Sequence, residues 1–436
     1  MSGGLQNIGR VPELQRRILF TFGMLAVYRL GAHIVTPGIN PEVIKNFFDQ
    51  MGGTVFGLFN LFSGGALEQL SIFALGIMPY ISASIIFQLL TIVIPALEQL
   101  QKEGDAGRRK ITQWTRYATV VIALFQSLLL AIALENGQFG EGAVLDPGWG
   151  FRLMMMTTLT TGTAFIMWLG EQITERGIGN GISLVIFAGI VVGIPSGLAA
   201  LWEQVRTEQF TLLGAILTLL FVIAFTGFVV FCERAQRRIP IQHARRVVGR
   251  RVMQGGMSYF PLRLNTAGVI PPIFASSILM FPLTITQFVD SPAVTNFFED
   301  YLHFGSFLYN AIYVALIVFF AFFYTAIVIN PTDVADNIKR SGAYIPGIRP
   351  GKRTAEYIDR ILGRLTLIGA IYVSTVCVMP VILSNQAGVP FFFGGTALLI
   401  VVGVALDTIG QIEAHLVSRQ YEGFVKGTRM RGRLGR

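Results

Sequence analysis

Residue types that usually carry catalysis or bind metals are sparse in this chain and do not cluster. The four histidines, His33, His243, His303 and His415, are isolated from any group of carboxylates or cysteines. The metalloprotease, serine-hydrolase and phosphate-loop patterns H-E-x-x-H, G-x-S-x-G and G-x-x-x-x-G-K-[ST] do not occur in the sequence. The sequence therefore predicts neither a catalytic constellation nor a cofactor or metal site.

Ionisable residues within apolar runs are also rare. Coupled transporters typically place such residues near mid-membrane, where they bind the coupling ion or proton. Here Arg29 and Asp407 lie toward the ends of apolar runs, and Glu171 and Glu175 mark a helix end. This pattern favours a pore. A secondary transporter that uses backbone and hydroxyl ligands, or a passive pore for small solutes, stays open as the alternative.

Long apolar runs must position whatever site the chain contains. The chain has 436 residues, of which 53% are hydrophobic and 14% charged, a balance typical of membrane proteins. A bilayer core about 30 Å thick needs roughly 20 apolar residues per helix. Ten such runs predict an all-α polytopic membrane protein, with spans near 17–35, 70–95, 114–134, 152–174, 180–200, 211–232, 266–288, 307–329, 361–383 and 393–412.

The distribution of cations predicts the orientation of these spans. Of the 34 lysines and arginines, 30 fall at the termini and in alternate loops on one side, whereas the opposite side has Lys45, Arg152 and Arg206. Cationic loops stay cytoplasmic during insertion. Both termini are therefore predicted to be cytoplasmic, which requires an even number of spans. The first run lacks a cleavage motif and is predicted to be a retained span.

Three interruptions depart from simple spanning helices. The Gly-rich apolar segment 52–65 is too short to span, and it is either a re-entrant element acting as a movable plug or an interfacial loop. The second span contains Gly76 and Pro79, and the seventh opens with Pro271 and Pro272. Both helices are predicted to be kinked and partly polar.

Two large loops lie on the predicted cytoplasmic side. The loop 233–265 contains eight arginines against the single acid Glu233. Arginine binds phosphate and carboxylate groups bidentately, so ribosomal RNA or an acidic protein surface is a predicted partner. The alternative is that these arginines keep the loop on the cytoplasmic side and attract anionic membrane lipids. The loop 330–360 mixes both charge signs with Pro, Gly and aromatic residues, and it is predicted to be ordered.

Long stretches of the chain resemble the SecY-type channel subunit family of the bacterial Sec translocon, nearly end to end. These stretches are SIFALGIMPYISASIIFQLL (71–90), KEGDAGRRKITQWTRY (102–117), WLGEQITERGIGNGIS (168–183), PLRLN before AGVIPPIFASS (261–277), GAYIPGIRPG (342–351) and FGGTALLI (393–400). Departures from the family pattern are local, chiefly Gln242 with His243 and Pro272.

The resemblance implies an architecture and a set of site residues. It implies two pseudo-symmetric five-helix halves, 1–205 and 206–436, around an hourglass pore, with a plug near 54–66 and a lateral gate between spans two and three and spans seven and eight. The implied pore ring consists of Ile77, Ile81, Ile182, Ile186, Ile273 and Ile400. The implied plug includes Phe59, Asn60, Phe62, Ser63, Gly64 and Gly65. The implied lateral gate contains Ser82, Gln126 and Asn265, and the implied cytoplasmic docking residues are Arg238, Arg245, Arg246 and Arg349.

The resemblance also implies a function. It implies a protein-conducting channel that passes unfolded polypeptides across the bacterial plasma membrane and releases transmembrane segments sideways into lipid, with no enzyme activity. Implied partners are the small membrane subunits SecE and SecG, the motor ATPase SecA, the ribosome, signal peptides and nascent chains. An isoleucine ring suits such a channel, because it offers no ligands that replace an ion's hydration shell and it dewets when narrow.

Overall fold

The computed structural model describes residues 11–50, 63–137, 139–140, 142–208, 210–243, 246–248, 251–253, 256–286, 306–387 and 394–431. The chain forms two compact units. One unit comprises Met1–Ala200 together with Val404–Arg436, and the other comprises Leu201–Gly403. The last helix contributes residues to both units. The predicted halves 1–205 and 206–436, with their pseudo-symmetry, stay a prediction.

The first unit is built from helices. They are α1 (Pro12–Gly31), α2 (Pro41–Gln50), α3 (Met78–Val93), α4 (Pro95–Lys102), α5 (Asp105–Glu135), α6 (Trp149–Arg176) and α7 (Gly181–Arg206), joined by the later part of α13 (Gly395–Arg431). A proline is the first residue of α1, α2 and α4 and the second residue of α3, because the first turn of a helix needs no backbone donor.

Helices α5 and α6 form an antiparallel hairpin that is tied at both ends. Near one end, Arg116 Nε donates to Glu171 Oε1 at 2.6 Å. At the other end, Arg152 Nε donates to Glu135 Oε2 at 2.6 Å, and the Glu135 side chain is only 7% exposed. These paired charges fix the register of two long apolar helices that otherwise offer few directional contacts.

The predicted second span is broken rather than simply kinked. Residues 71–77 form turns, and α3 begins only at Met78 with Pro79 in its first turn. At Ile94 the chain bends by 100° into α4. The non-helical residues pair instead with the segment after α1, where the Ile72 N–H donates to the Ile34 carbonyl and the Thr36 N–H donates to the Leu70 carbonyl.

The second unit combines helices with short strands. Its helices are α8 (Leu212–Arg234), α9 (Ile270–Thr286), α10 (Phe307–Val328), α11 (Pro331–Arg340), α12 (Lys352–Ala387) and the start of α13. Its strands are β1 (Gln236–His243), β2 (Arg246–Val248), β3 (Arg251–Met253), β4 (Met257–Arg263) and β5 (Ala343–Tyr344).

The strands bring the two large loops together. A three-stranded antiparallel sheet has the order β4-β1-β5, with Ile239 opposite Phe260 and Gln242 opposite Tyr344, and β2 pairs with β3 as a separate hairpin. One face of the larger sheet packs on helices α11 and α12. Their shared core consists of Ile239, Ile241, Leu262, Ile338, Ala343, Ile345, Ile358, Ile361, Leu362 and Leu365. Strands β1 to β5, helix α11 and residues 352–365 of α12 together form an assembly that we call the loop module.

Most predicted spans coincide with helices long and apolar enough to cross a membrane. Among the described residues seven helices meet that condition, and the bent pair α3–α4 makes up to eight. The chain is therefore a multi-pass membrane protein. Helix α1 and the described part of α9 fall outside this set, so the count of ten spans stays a prediction. The helical fold also contains two small sheets that the sequence did not predict, because their strands lie within the two large loops between the apolar runs.

Candidate functional site

The described end of the predicted plug is held by α1. Tyr28 Oη donates to the Ser63 carbonyl at 3.0 Å, and Arg29 Nη1 donates to the Gly64 carbonyl at 2.8 Å. Both donors approach the backbone, so they fix the path of the segment independently of its side chains. The predicted plug residues Phe59, Asn60 and Phe62 lie outside the described residues.

Gly64 also packs directly against α7. Its backbone has φ +68°, and a methyl group added there would lie 2.8 Å from Gly189 Cα. A side chain at residue 64 would therefore clash with the backbone of α7, which cannot move aside as a side chain can. The positive φ would strain the backbone of any other residue at this position as well. Gly65 has φ +82° but nothing within 4 Å of an added methyl group. The close contact is thus specific to Gly64.

The predicted ring residues of the first unit lie on two helices. Ile77 caps the start of α3 and is 4% exposed, and the Ile81 N–H donates to its carbonyl. The predicted plug lies beside them, since a methyl group at Gly76 would be 3.7 Å from Ser63 Cα. On α7, Ile186 is buried and Ile182 packs beside Gly170 of α6. Ile182 and Ile186 are four residues apart on α7, whereas Ile77 stands just before the first residue of α3.

The other two predicted ring residues belong to the second unit. Ile273 lies in the first turns of α9, where its carbonyl accepts hydrogen bonds from the hydroxyls of Ser276 and Ser277 at 2.9 and 2.8 Å. Ile400 on α13 is 1% exposed. The ring of six isoleucines as a whole stays a prediction.

The three predicted gate residues have different surroundings. Ser82 on α3 and Gln126 on α5 are half-buried in the first unit. Asn265 in the second unit is buried, and its amide nitrogen donates to Glu233 Oε1 at 2.8 Å and to the Gly268 carbonyl at 3.0 Å. Asn265 therefore fixes the turn that leads into α9. Its role in a gate stays a prediction.

The predicted docking residues lie on or next to the loop module. Arg238 is exposed on β1, and Arg349 is exposed between β5 and α12. The Arg349 carbonyl accepts a hydrogen bond from Thr354 Oγ1 at 3.0 Å, so its backbone is anchored while its side chain faces outward. Arg246 begins β2 in the structure, and Arg245 lies outside the described residues.

Comparison with known proteins decides the family. The family model of SecY matches residues 71–409. The chain belongs to the SecY family. Its relatives include the proteins named protein translocase subunit SecY of Escherichia coli strain K12 and Pseudomonas aeruginosa strain PAO1, at 51% and 50% identity. Each alignment covers 97% of this chain and 96% of the relative. The protein of the same name from Aquifex aeolicus strain VF5 is 45% identical over 98% of this chain and all of its own length.

Solved structures share the fold of this SecY-family chain. One described as the structure of a protein conducting channel matches with a TM-score of 0.66 at 18% identity, covering 93% of both chains. Sec61 in the canine ribosome-channel complex from the endoplasmic reticulum matches with a TM-score of 0.60 at 16% identity, covering 92% of both chains. At these identities the matches establish the fold alone.

Several contacts of this SecY-family chain were not predicted from its sequence. Tyr28 and Arg29 anchor the described plug end. Glu233 Oε1 accepts hydrogen bonds from Asn265 and from Tyr372 Oη, the latter at 3.5 Å. The sequence contained one indication that Glu233 has a specific partner, because Glu233 is the single acid among the eight arginines of its loop. Within the described residues no group of three or more His, Cys, Asp and Glu side chains is placed to hold a metal ion.

Proposed function

We propose that this SecY-family chain is a protein-conducting channel that passes unfolded polypeptides across the bacterial plasma membrane. It releases apolar segments sideways into lipid, since a helix of about 20 apolar residues prefers lipid to water. The chain is not an enzyme in this proposal, and the energy for translocation comes from partners. The alternative, a transporter or passive pore for small solutes, is disfavoured by membership of a family whose named members are protein translocase subunits.

One observation carries the proposal, namely the non-helical segment 64–77 that precedes α3. Backbone of this kind is tolerated within a membrane only where protein or a water-filled cavity covers it. Protein covers much of this segment, since Ala66, Leu70, Phe73, Ala74 and Ile77 are at most 4% exposed. A covered re-entrant segment beside a predicted apolar constriction supports a plugged pore.

The contacts of Arg29 bear on the transporter alternative. An ionisable group inside a span is a default candidate for ion coupling. Here the guanidinium of Arg29 is hydrogen-bonded to the Gly64 carbonyl and lies one residue from the other plug anchor, Tyr28. Its contacts support a role in holding the plug. This residue therefore gives no reason to invoke a coupled ion.

The loop module supports proposed partners on the cytoplasmic side. Arg238 is exposed on this module and Arg349 is exposed next to it, and the module has a buried apolar core. Exposed arginines on an ordered scaffold suit a ribosome with its RNA, or the acidic surface of a motor ATPase such as SecA. The small subunits SecE and SecG, signal peptides, nascent chains and membrane lipids complete the proposed partners. Both termini are proposed to be cytoplasmic, because the positive loops lie on that side.

Reconstitution tests the function directly. Vesicles containing the chain with its co-purified small membrane subunits receive a preprotein, the motor ATPase and ATP, and protease-protected preprotein is measured. We expect protection that depends on the chain and on a functional signal sequence. Vesicles that admit small solutes but protect no preprotein would support the alternative instead.

A further inference from the structure

We propose that the second unit binds one structural water molecule at the start of α9, between the side chains of Thr366, Asn265 and Thr325. A small cavity lies where the turn before α9 meets α10 and α12. It is lined by Leu264, Asn265, Thr266, Ala267, Pro271, Ala321, Thr325, Thr366, Gly369, Ala370 and Val373. Its volume, counted as space open to the centre of a water molecule, is about 10 Å³, close to the smallest that holds one water.

A buried hydroxyl faces this space without a protein partner. Thr366 is 5% exposed, and within the described part of the chain its Oγ1 has no hydrogen-bond partner. Many buried threonines of membrane helices bond to a carbonyl one turn earlier, as Thr325 does with the Ala321 carbonyl at 2.8 Å. A buried hydroxyl left unsatisfied costs free energy, and a bound water removes that cost.

The cavity also offers the further polar groups that a buried water needs. Such a water typically makes two to four hydrogen bonds. Asn265 uses its amide hydrogens on Glu233 and Gly268, which leaves its carboxamide oxygen to accept from the water. Thr325 Oγ1 donates to Ala321 and keeps lone pairs to accept a second bond. Thr366 then completes a set of three polar groups from three elements.

Close backbone packing keeps the site small. A methyl group added at Gly369, one turn after Thr366, would lie 2.7 Å from the Leu264 carbonyl oxygen and 3.6 Å from Asn265 Cα. Helix α12 therefore approaches the turn before α9 too closely for a side chain at residue 369. The space that remains beside Thr366 is of water size rather than lipid or solute size.

The water would join α9, α10 and α12 through bonds that exchange easily. If α9 moves as a gate helix, a consequence that rests on the proposed function, these water-mediated bonds can break and re-form during the movement. The site itself stands without that movement, and the following tests require no translocation.

A structure of the purified membrane complex in lipid nanodiscs, at a resolution that reveals ordered water, tests the site first. We expect one density peak at hydrogen-bond distance from Thr366 Oγ1, about 3 Å, and its loss in Thr366→Val. A cavity without density in the wild-type complex would overturn the proposal.

The direction in which the thermal unfolding midpoint of the same complex changes gives a second test. If the hydroxyl binds water, Thr366→Val lowers the unfolding midpoint by about 2 °C or more, and Thr366→Ser stays near wild type. Ser374→Ala is the control, because Ser374 Oγ is also buried without a partner among the described residues but does not line the cavity. A Thr366→Val midpoint that is unchanged, raised, or lowered only as much as that of Ser374→Ala refutes the water site.

Discussion

The amide nitrogen of Asn265 lies 2.8 Å from Oε1 of Glu233, and this hydrogen bond joins the end of α8 to the turn before α9. The loop between these two residues contains strands β1 and β4 of the loop module. The bond therefore closes the base of that module where it meets the membrane helices. It also links a predicted gate residue to the single acid of the basic loop.

Asn265→Leu is predicted to loosen the start of α9, because it removes both hydrogen bonds donated by the amide. Hydrogen bonds between membrane helices contribute about 0.6 kcal/mol on average, so the gate equilibrium should shift by a few fold toward opening. The measurement is export of reporters with defective signal sequences, which should rise a few fold.

Glu233→Gln is the matched variant for that prediction. It keeps an acceptor oxygen for the Asn265 amide and should export defective signal sequences near the wild-type level. If Asn265→Leu handles normal and defective signal sequences as the wild type does, Asn265 is not a gate residue.

Gly64→Ala is predicted to displace the plug, since the new methyl group would meet Gly189 Cα at 2.8 Å and the backbone has φ +68°. The expected result is a higher resting ion conductance in planar bilayers. Gly65→Ala is the control, because Gly65 has φ +82° but no neighbour within 4 Å. Equal conductance in the two variants would mean that the Gly189 contact does not hold the plug.

The isoleucine ring is tested by replacing Ile81, Ile186 and Ile400 together with glycine. Removal of three branched side chains should open the constriction to water and raise resting conductance severalfold. The matched triple valine variant keeps β-branched apolar side chains and should stay nearly sealed. Unchanged conductance in the glycine variant would count against a ring at these positions.

Arg349→Glu is predicted to abolish preprotein translocation while leaving the amount of inserted protein unchanged. The side chain is exposed and its backbone is anchored by Thr354, so charge reversal should repel a cytoplasmic partner without unfolding the loop module. Arg206→Glu is the control, since this exposed arginine ends α7 on the predicted opposite side. Normal translocation by Arg349→Glu vesicles would remove Arg349 from the docking surface.

The sequence predicted the helical elements well, because long apolar runs in lipid have few alternatives to helix. It also located the irregular second span through Gly76 and Pro79. The extent of the break was not predictable, because residues 71–77 are as apolar as a helix of the same length. Their turns depend on pairing with the segment after α1, which is a tertiary contact.

The loop module was missed although a local signal was present. Ile239 and Ile241 alternate with exposed residues along β1, which is the period of a half-buried strand. The eight arginines of this loop predicted a binding surface and gave no indication of a sheet. The partners of Asn265 could not be predicted, because Glu233 is 32 residues away and the fold alone brings the two together.

Photocrosslinking of a stalled translocation intermediate shows whether the polypeptide passes through the predicted isoleucine ring. A photoreactive amino acid replaces Ile186, and in a matched variant it replaces Phe231, a 75% exposed residue of the apolar helix α8. If the chain conducts polypeptides through the predicted ring, the intermediate crosslinks at position 186 and not at position 231. Crosslinking at position 231 without crosslinking at position 186 would contradict a polypeptide path through these isoleucines.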